Sequence, residues 1–274
     1  MSERSGNATN VSVAFDKARA EGRSVLVGYL PAGFPGVDGG IAAIRAMVEA
    51  GVDVVEVGFP YSDPVMDGPA IQRAAEAALA AGTRAKDVLR TVEAVADAGA
   101  QVLVMSYWNP VERYGVSAFA RDLAAAGGAG LITPDLIPDE ADEWLAASDR
   151  YGLDRVFLVA PSSTDERVRA TAAACRGFVY ASSVMGVTGA RDKTSSAAPA
   201  LVERVRRLAP DPALPVAVGL GVRDGAQAAE VASFADGVIV GSALVSCLLD
   251  APDLDAGIAG LRTLTADLAR GVRA

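Results

Sequence analysis

Glu56 and Asp67 are the residues whose types and setting point most directly to chemistry. They lie in one stretch, VVEVGFPYSDPVMDGP, residues 54–69. Glu56 interrupts an apolar, β-branched run, where desolvation opposes a charge and raises a carboxyl's pKa. Asp67 sits on the turn-rich loop that follows, between Met66 and Gly68. Two carboxyls in unlike surroundings, one dry and one on a loop, are the raw material for divided acid–base work. The plainer explanations are a buried acid satisfied by an amide or by the Tyr180 hydroxyl, and an Asp-Gly pair serving only as turn vocabulary. The combination favours an enzyme over a binding module.

Composition narrows the chemistry further. The 274 residues contain no histidine, which removes Ser-His-Asp triads, Cys-His pairs and histidine-ligated zinc. The lysines are Lys17, Lys86 and Lys193, and none falls in an apolar strand-like run, so a Schiff-base aldolase is not expected. Carboxyls, hydroxyls and backbone amides must do the work. A net charge of −9 argues against a nucleic-acid surface, which needs clustered Lys and Arg. No uncharged run reaches the roughly 18 residues of a membrane helix. The opening MSERSGNATN lacks an apolar signal core, and residues 1–10 are expected to form a disordered lead. With only Cys175 and Cys247, a reduced, disulfide-free, cytoplasmic protein is expected.

The elements that must position the two acids follow from a recurring unit: an Ala-rich helical pattern, a glycine, then a short β-branched run. EAGVDVVEVG, DAGAQVLVMSY, AAGGAGLITPD and YGLDRVFLVA are instances. Each reads as a helix closed by a glycine cap and followed by a strand buried on both faces. Strands are predicted at 25–30, 53–58, 102–106, 130–134, 155–160, 178–182, 215–219 and 237–240. A helix is predicted over 38–50, with Asp38 as its cap. Eight β-then-α units predict an α/β fold, a (β/α)8 TIM barrel filling residues 11–274 as a single domain. Extra helices are expected before strand one, at 14–21, and after strand two, at 70–82 and 83–98. An open doubly wound sheet is the rival architecture. In a barrel, Glu56 and the Asp67 loop fall at the carboxyl ends of the strands, where active sites lie.

Glycines mark a candidate phosphate site at the same end. Gly219 and Gly221 follow strand seven, and Gly241-Ser242 follows strand eight and opens a helix. Backbone can approach an anion closely there, and leading helix N–H groups can hold it. The segment from Gly186 to Gly189 follows strand six and could fold over the same ligand, although any one of these glycines could simply make a tight turn. Tyr29, Tyr107 and Tyr180 each end a strand and are candidates to line the pocket mouth. Asp135 reads as a cap for the helix beginning near Pro138.

The segment EVGFPYSDPVMDGPAIQ, residues 56–72, closely resembles the signature of the tryptophan synthase α subunit family. MSYWNP, PDLIPDEA, GVTG, GLGV and VGSALV match family segments in the same order, and the resemblance spans about residues 12 to 272. It implies a lyase that splits indole-3-glycerol phosphate into indole and glyceraldehyde 3-phosphate. By that resemblance Glu56 is the acid–base residue and Asp67 the second catalytic acid. Thr188 is the loop threonine that reaches Asp67 on closure. Gly189, Gly219, Gly221, Gly241 and Ser242 match the phosphate cradle, and Tyr29, Tyr107 and Tyr180 match ring-contacting positions. Departures are mild: Val184 stands where some members carry Arg, Met66 replaces a smaller residue, and Tyr29 replaces a frequent Phe.

The resemblance also implies an α2β2 complex with a β subunit that holds pyridoxal phosphate. This chain, with no lysine matching a pyridoxal site, is expected to carry neither cofactor nor metal. Pro60, Asp63, Asn109 and Pro110 match partner-contact positions; read on their own they are solvated turn residues. Two alternatives remain open at this point: another phosphate-binding barrel isomerase, and a non-catalytic partner that only activates the β subunit.

Overall fold

The computed structural model describes residues 10–182 and 197–274. Residues 1–9, most of the expected lead, lie outside the described residues. So do residues 183–196, among them Val184, the segment from Gly186 to Gly189 with Thr188, and Lys193.

The chain opens with α1 (Ser12–Ala20), β1 (Val25–Pro31), α2 (Val37–Glu49) and β2 (Val54–Gly58). Then come α3 (Pro69–Ala80), α4 (Ala85–Ala96), β3 (Gln101–Met105), α5 (Trp108–Tyr114) and α6 (Val116–Ala125). They are followed by β4 (Gly130–Thr133), a short 3-10 turn (Pro138–Glu140), α7 (Asp142–Tyr151), β5 (Asp154–Val159) and α8 (Asp165–Ala174). The last elements are β6 (Val179–Ser182), α9 (Ala197–Leu208), β7 (Val216–Gly219), α10 (Gly225–Ala232), β8 (Gly237–Val240), α11 (Ser242–Leu249) and α12 (Leu254–Gly271). The strands pair in parallel, in chain order, and β8 closes on β1. This is the predicted (β/α)8 barrel, and it rules out the open sheet.

Strand residues alternate between two separate cores, as the period of two demands. Val25, Val27, Val54, Leu103, Ile132, Val156, Ala217 and Ile239 form one cluster, which fills the barrel. Their neighbours, among them Leu26, Val55, Val104, Leu131, Phe157 and Val218, join the helices in the other. Burial on both faces explains why the strands read as unbroken apolar runs. The interior cluster takes in Val11 and Phe15, and the Phe15 ring meets Phe178 at 5.5 Å, so the segment at α1 plugs the floor of the barrel.

Two predicted caps are corrected. Helix α2 starts one residue earlier than expected, with Gly36 as its N-cap at φ 92°. Asp38 therefore lies inside the first turn, where an acid still suits the helix dipole, and it accepts from Arg90 at 2.6 Å. Asp135 does not serve the turn at Pro138. Its carboxylate accepts the Trp108 N–H, at 2.9 and 3.1 Å to its two oxygens, and so fixes the start of α5 from the neighbouring strand end.

Candidate active site

Glu56 is the third residue of β2, in register with Tyr29 of β1 and Leu103 of β3. Two residues after the inward Val54, it also points into the barrel. It is 1% exposed, and its Oε1 has no hydrogen-bond partner among the described residues. Burial alone pushes the carboxyl up from 4.5 to about 8. The acid therefore holds its proton at neutrality and sits close to the balance point for giving it up.

Asp67 ends the loop between β2 and α3. Gly68 follows as the N-cap of helix α3, which begins at Pro69. Burial raises the Asp67 carboxyl above its ordinary value, while a hydrogen bond from Tyr107 pulls it back down. That bond is 3.1 Å from the Tyr107 hydroxyl to Oδ1. The Gln72 side-chain amide donates to the Asp67 carbonyl at 2.7 Å. The phenols of Tyr29 and Tyr180 are pushed well above their usual range, first by burial and then by the fields of both Asp67 and Glu56.

A single pocket of about 670 Å³ of empty space, its mouth included, gathers most of the sequence-predicted residues. Tyr29, Glu56, Asp67, Tyr180, Gly219, Gly221, Gly241 and Ser242 all line it. Gly221 has φ +80°, a conformation that favours glycine, and a Cβ on Gly219 would lie 2.5 Å from the Tyr180 hydroxyl. Both glycines are thus required by geometry, one by the turn and one by the ring packed on it. Helix α11 starts behind Gly241 with no side-chain cap, which leaves its leading N–H groups beside the pocket.

Other predicted residues fall elsewhere. Tyr107 is buried and is not among the lining residues; it stands behind Asp67. Thr188 and Gly189 lie outside the described residues. Pro60 is buried, so the reading of it as a solvated turn residue is corrected: it packs at the strand end. Asp63 and Asn109 are exposed and Pro110 is half-buried. Sequence reasoning missed Ile71, Met105, Ser182, Leu220 and Ile239, which also line the pocket. Met105 and Ser182 end their strands, and Ile239 is one residue short, so strand-end position was the available signal.

A family model described as tryptophan synthase alpha chain matches residues 15–269. The chain belongs to that family. It is 69% identical to the tryptophan synthase alpha chain of Salinispora arenicola over 265 residues, covering 97% of this chain and 98% of that one. Identity to the Thermobifida fusca alpha chain is 66%, over 94% of this chain and 96% of its relative. A solved structure of Mycobacterium tuberculosis tryptophan synthase aligns with a TM-score of 0.91 and 60% identity, over 98% of this chain and 100% of that one. At 30% identity the Legionella pneumophila alpha chain still superposes with a TM-score of 0.87, over 97% and 98% of the two chains. The reaction is that of tryptophan synthase alpha chains, carbon–carbon bond cleavage of indole-3-glycerol phosphate to indole and glyceraldehyde 3-phosphate.

Proposed function

We propose that Glu56 and Asp67 divide this reaction between a proton carrier and a fixed charge. The Glu56 carboxyl gives its proton to the indole carbon that bears the side chain, which turns the ring into an electron sink with positive charge at its N–H. The Asp67 carboxylate stabilises that charge in a site screened from water. Glu56, now ionised, takes the proton from the adjacent side-chain hydroxyl. The carbon–carbon bond breaks, its electron pair returns to the ring, and indole and the aldehyde leave. Glu56 ends protonated as it began, so the cycle closes without another proton source. The observation that carries this reading is the buried Glu56 carboxyl facing the pocket, its Oε1 without a partner among the described residues and its pKa raised to about 8.

In the same reading the phosphate lies at Gly219, Gly221, Gly241 and Ser242, held by backbone N–H groups and the start of α11. Gly189 would complete that cradle, and Thr188 would reach Asp67 from the same segment. Tyr29 and Tyr180 flank the bicyclic ring. Indole passes to a β subunit, which supplies pyridoxal phosphate chemistry of its own in an α2β2 assembly; the steps above call on no cofactor in this chain. The exposed Asp63, Asn109 and Val65 and the half-buried Pro110 offer the surface for that partner, Val65 being 73% exposed. A cytoplasmic location suits the reading, and among the described residues no helix is long and apolar enough to cross a membrane.

The test is indole release from indole-3-glycerol phosphate by the wild-type chain and by Glu56→Gln. The variant is expected to lose turnover by roughly 10⁴-fold while folding normally. Near wild-type turnover in a folded Glu56→Gln would end the assignment.

A further inference from the structure

The Tyr107 hydroxyl has one hydrogen to donate and two lone pairs to accept with, and all three are engaged on one loop. It donates to Asp67 Oδ1 at 3.1 Å. It accepts from the backbone N–H of Met66 at 3.0 Å and of Val65 at 3.2 Å. No capacity is left on it for a substrate, and it does not line the pocket.

The ring is as firmly placed as the hydroxyl. Tyr107 is the residue just before α5, whose first N–H is held by Asp135. Its face meets Tyr61, from the other end of the Asp67 loop, at 5.3 Å between centroids. On the far side of Asp67, Gln72 holds the carbonyl. From these contacts we infer that Tyr107 is a positioning residue for the cleavage reaction: it pins the loop of residues 65–67 and aims the Asp67 carboxylate at the pocket, and makes no contact with the substrate itself. Gln72 braces the same residue from the helix side. The inference rests on the proposed role of Asp67 and gives Tyr107 a different task from the ring contact that the family resemblance implies.

The removal of one oxygen tests it. Tyr107→Phe keeps the ring against Tyr61 and deletes all three hydrogen bonds. The expected result is a kcat lower by roughly 10- to 100-fold, the penalty of a misplaced catalytic group, with KM for indole-3-glycerol phosphate within about twofold. The Tyr107 bond also lowers the Asp67 pKa. Its loss therefore moves the acid limb of the kcat/KM profile to higher pH, which a purely structural role for Tyr107 would not do. Gln72→Ala is expected to lower kcat less and to leave the acid limb in place, because Gln72 touches the carbonyl and not the carboxylate. A Tyr107→Phe enzyme with wild-type kcat and acid limb, or one whose whole loss appears in KM, would overturn the inference. Asp67→Ala, measured alongside, separates the two levels. Turnover lost there and kept in Tyr107→Phe defeats the positioning role alone, whereas turnover kept in Asp67→Ala defeats the Asp67 role and this inference together.

Discussion

The two ends of the barrel treat a buried acid in opposite ways. Glu56, toward the carboxyl ends of the strands, and Asp154, at the start of β5, are each 1% exposed. Asp154 accepts the Val11 N–H at 2.8 Å and faces the Arg176 guanidinium at 3.8 Å. Its floor neighbours are handled similarly. Asp53 accepts the Leu26 N–H and two bonds from Arg23, and Asp236 accepts the Val216 N–H and pairs with Arg206 at 3.1 Å. Among the described residues Glu56 Oε1 has no such partner, and its carboxyl rises to about 8 where Asp154 rises only to about 6. Burial is therefore not what sets Glu56 apart from the floor acids. Burial with the partners withheld is, because the missing hydrogen bonds leave a proton as the cheapest way to neutralise the group.

That contrast predicts a double dissociation between rim and floor. The largest effect is the loss of turnover in Glu56→Gln, an activity effect at the rim. Next comes its consequence for stability. A carboxyl whose folded pKa lies above its unfolded value contributes fully below the unfolded value and loses that contribution as pH rises through the folded one. For Glu56 the window runs from about pH 4.5 to about 8, and the shift corresponds to on the order of 5 kcal/mol. Denaturant unfolding of the wild-type chain should show stability falling across that window, and Glu56→Gln should flatten the fall. An equal decline in both proteins would erase the distinction drawn for the rim.

At the floor the effects are smaller and of the other kind. Asp154→Ala strands the Val11 N–H and removes the acceptor that ties the segment at α1 under the barrel. A loss of about 2 kcal/mol of unfolding free energy is expected, with turnover per folded molecule within about twofold of wild type. A large fall in turnover with stability unchanged would place chemistry at the wrong end of the molecule.

Much of this was legible in the sequence, for reasons that differ by region. Each strand is placed to within a residue or so, because parallel strands covered on both faces must be apolar throughout and are punctuated by glycine caps. Glu56 is conspicuous for the same reason, as a charge in a run that tolerates none. The glycines at 219 and 221 are legible because a side chain fits neither place, one packed under the Tyr180 ring and the other at positive φ. Side-chain partnerships across elements were not. Asp135 and Asp38 read as caps of the nearest helix start, but their partners, Trp108 and Arg90, are distant in sequence. Tyr107 reads as a pocket residue from its strand-end position, and only the contacts of its hydroxyl give it another task. The remaining lining residues, such as Ser182 and Ile239, carry no unusual residue type to draw notice.

The central claim is that Glu56 is a carboxyl poised to hold and release a proton near neutrality. It is tested most directly by titrating that group itself: 13C NMR of side-chain carboxyls in a glutamate-labelled chain, with Glu56→Gln identifying the resonance. The account predicts a midpoint near 8 for a signal that vanishes in the variant. A midpoint near 4.5, the value of an ordinary solvated glutamate, would contradict it.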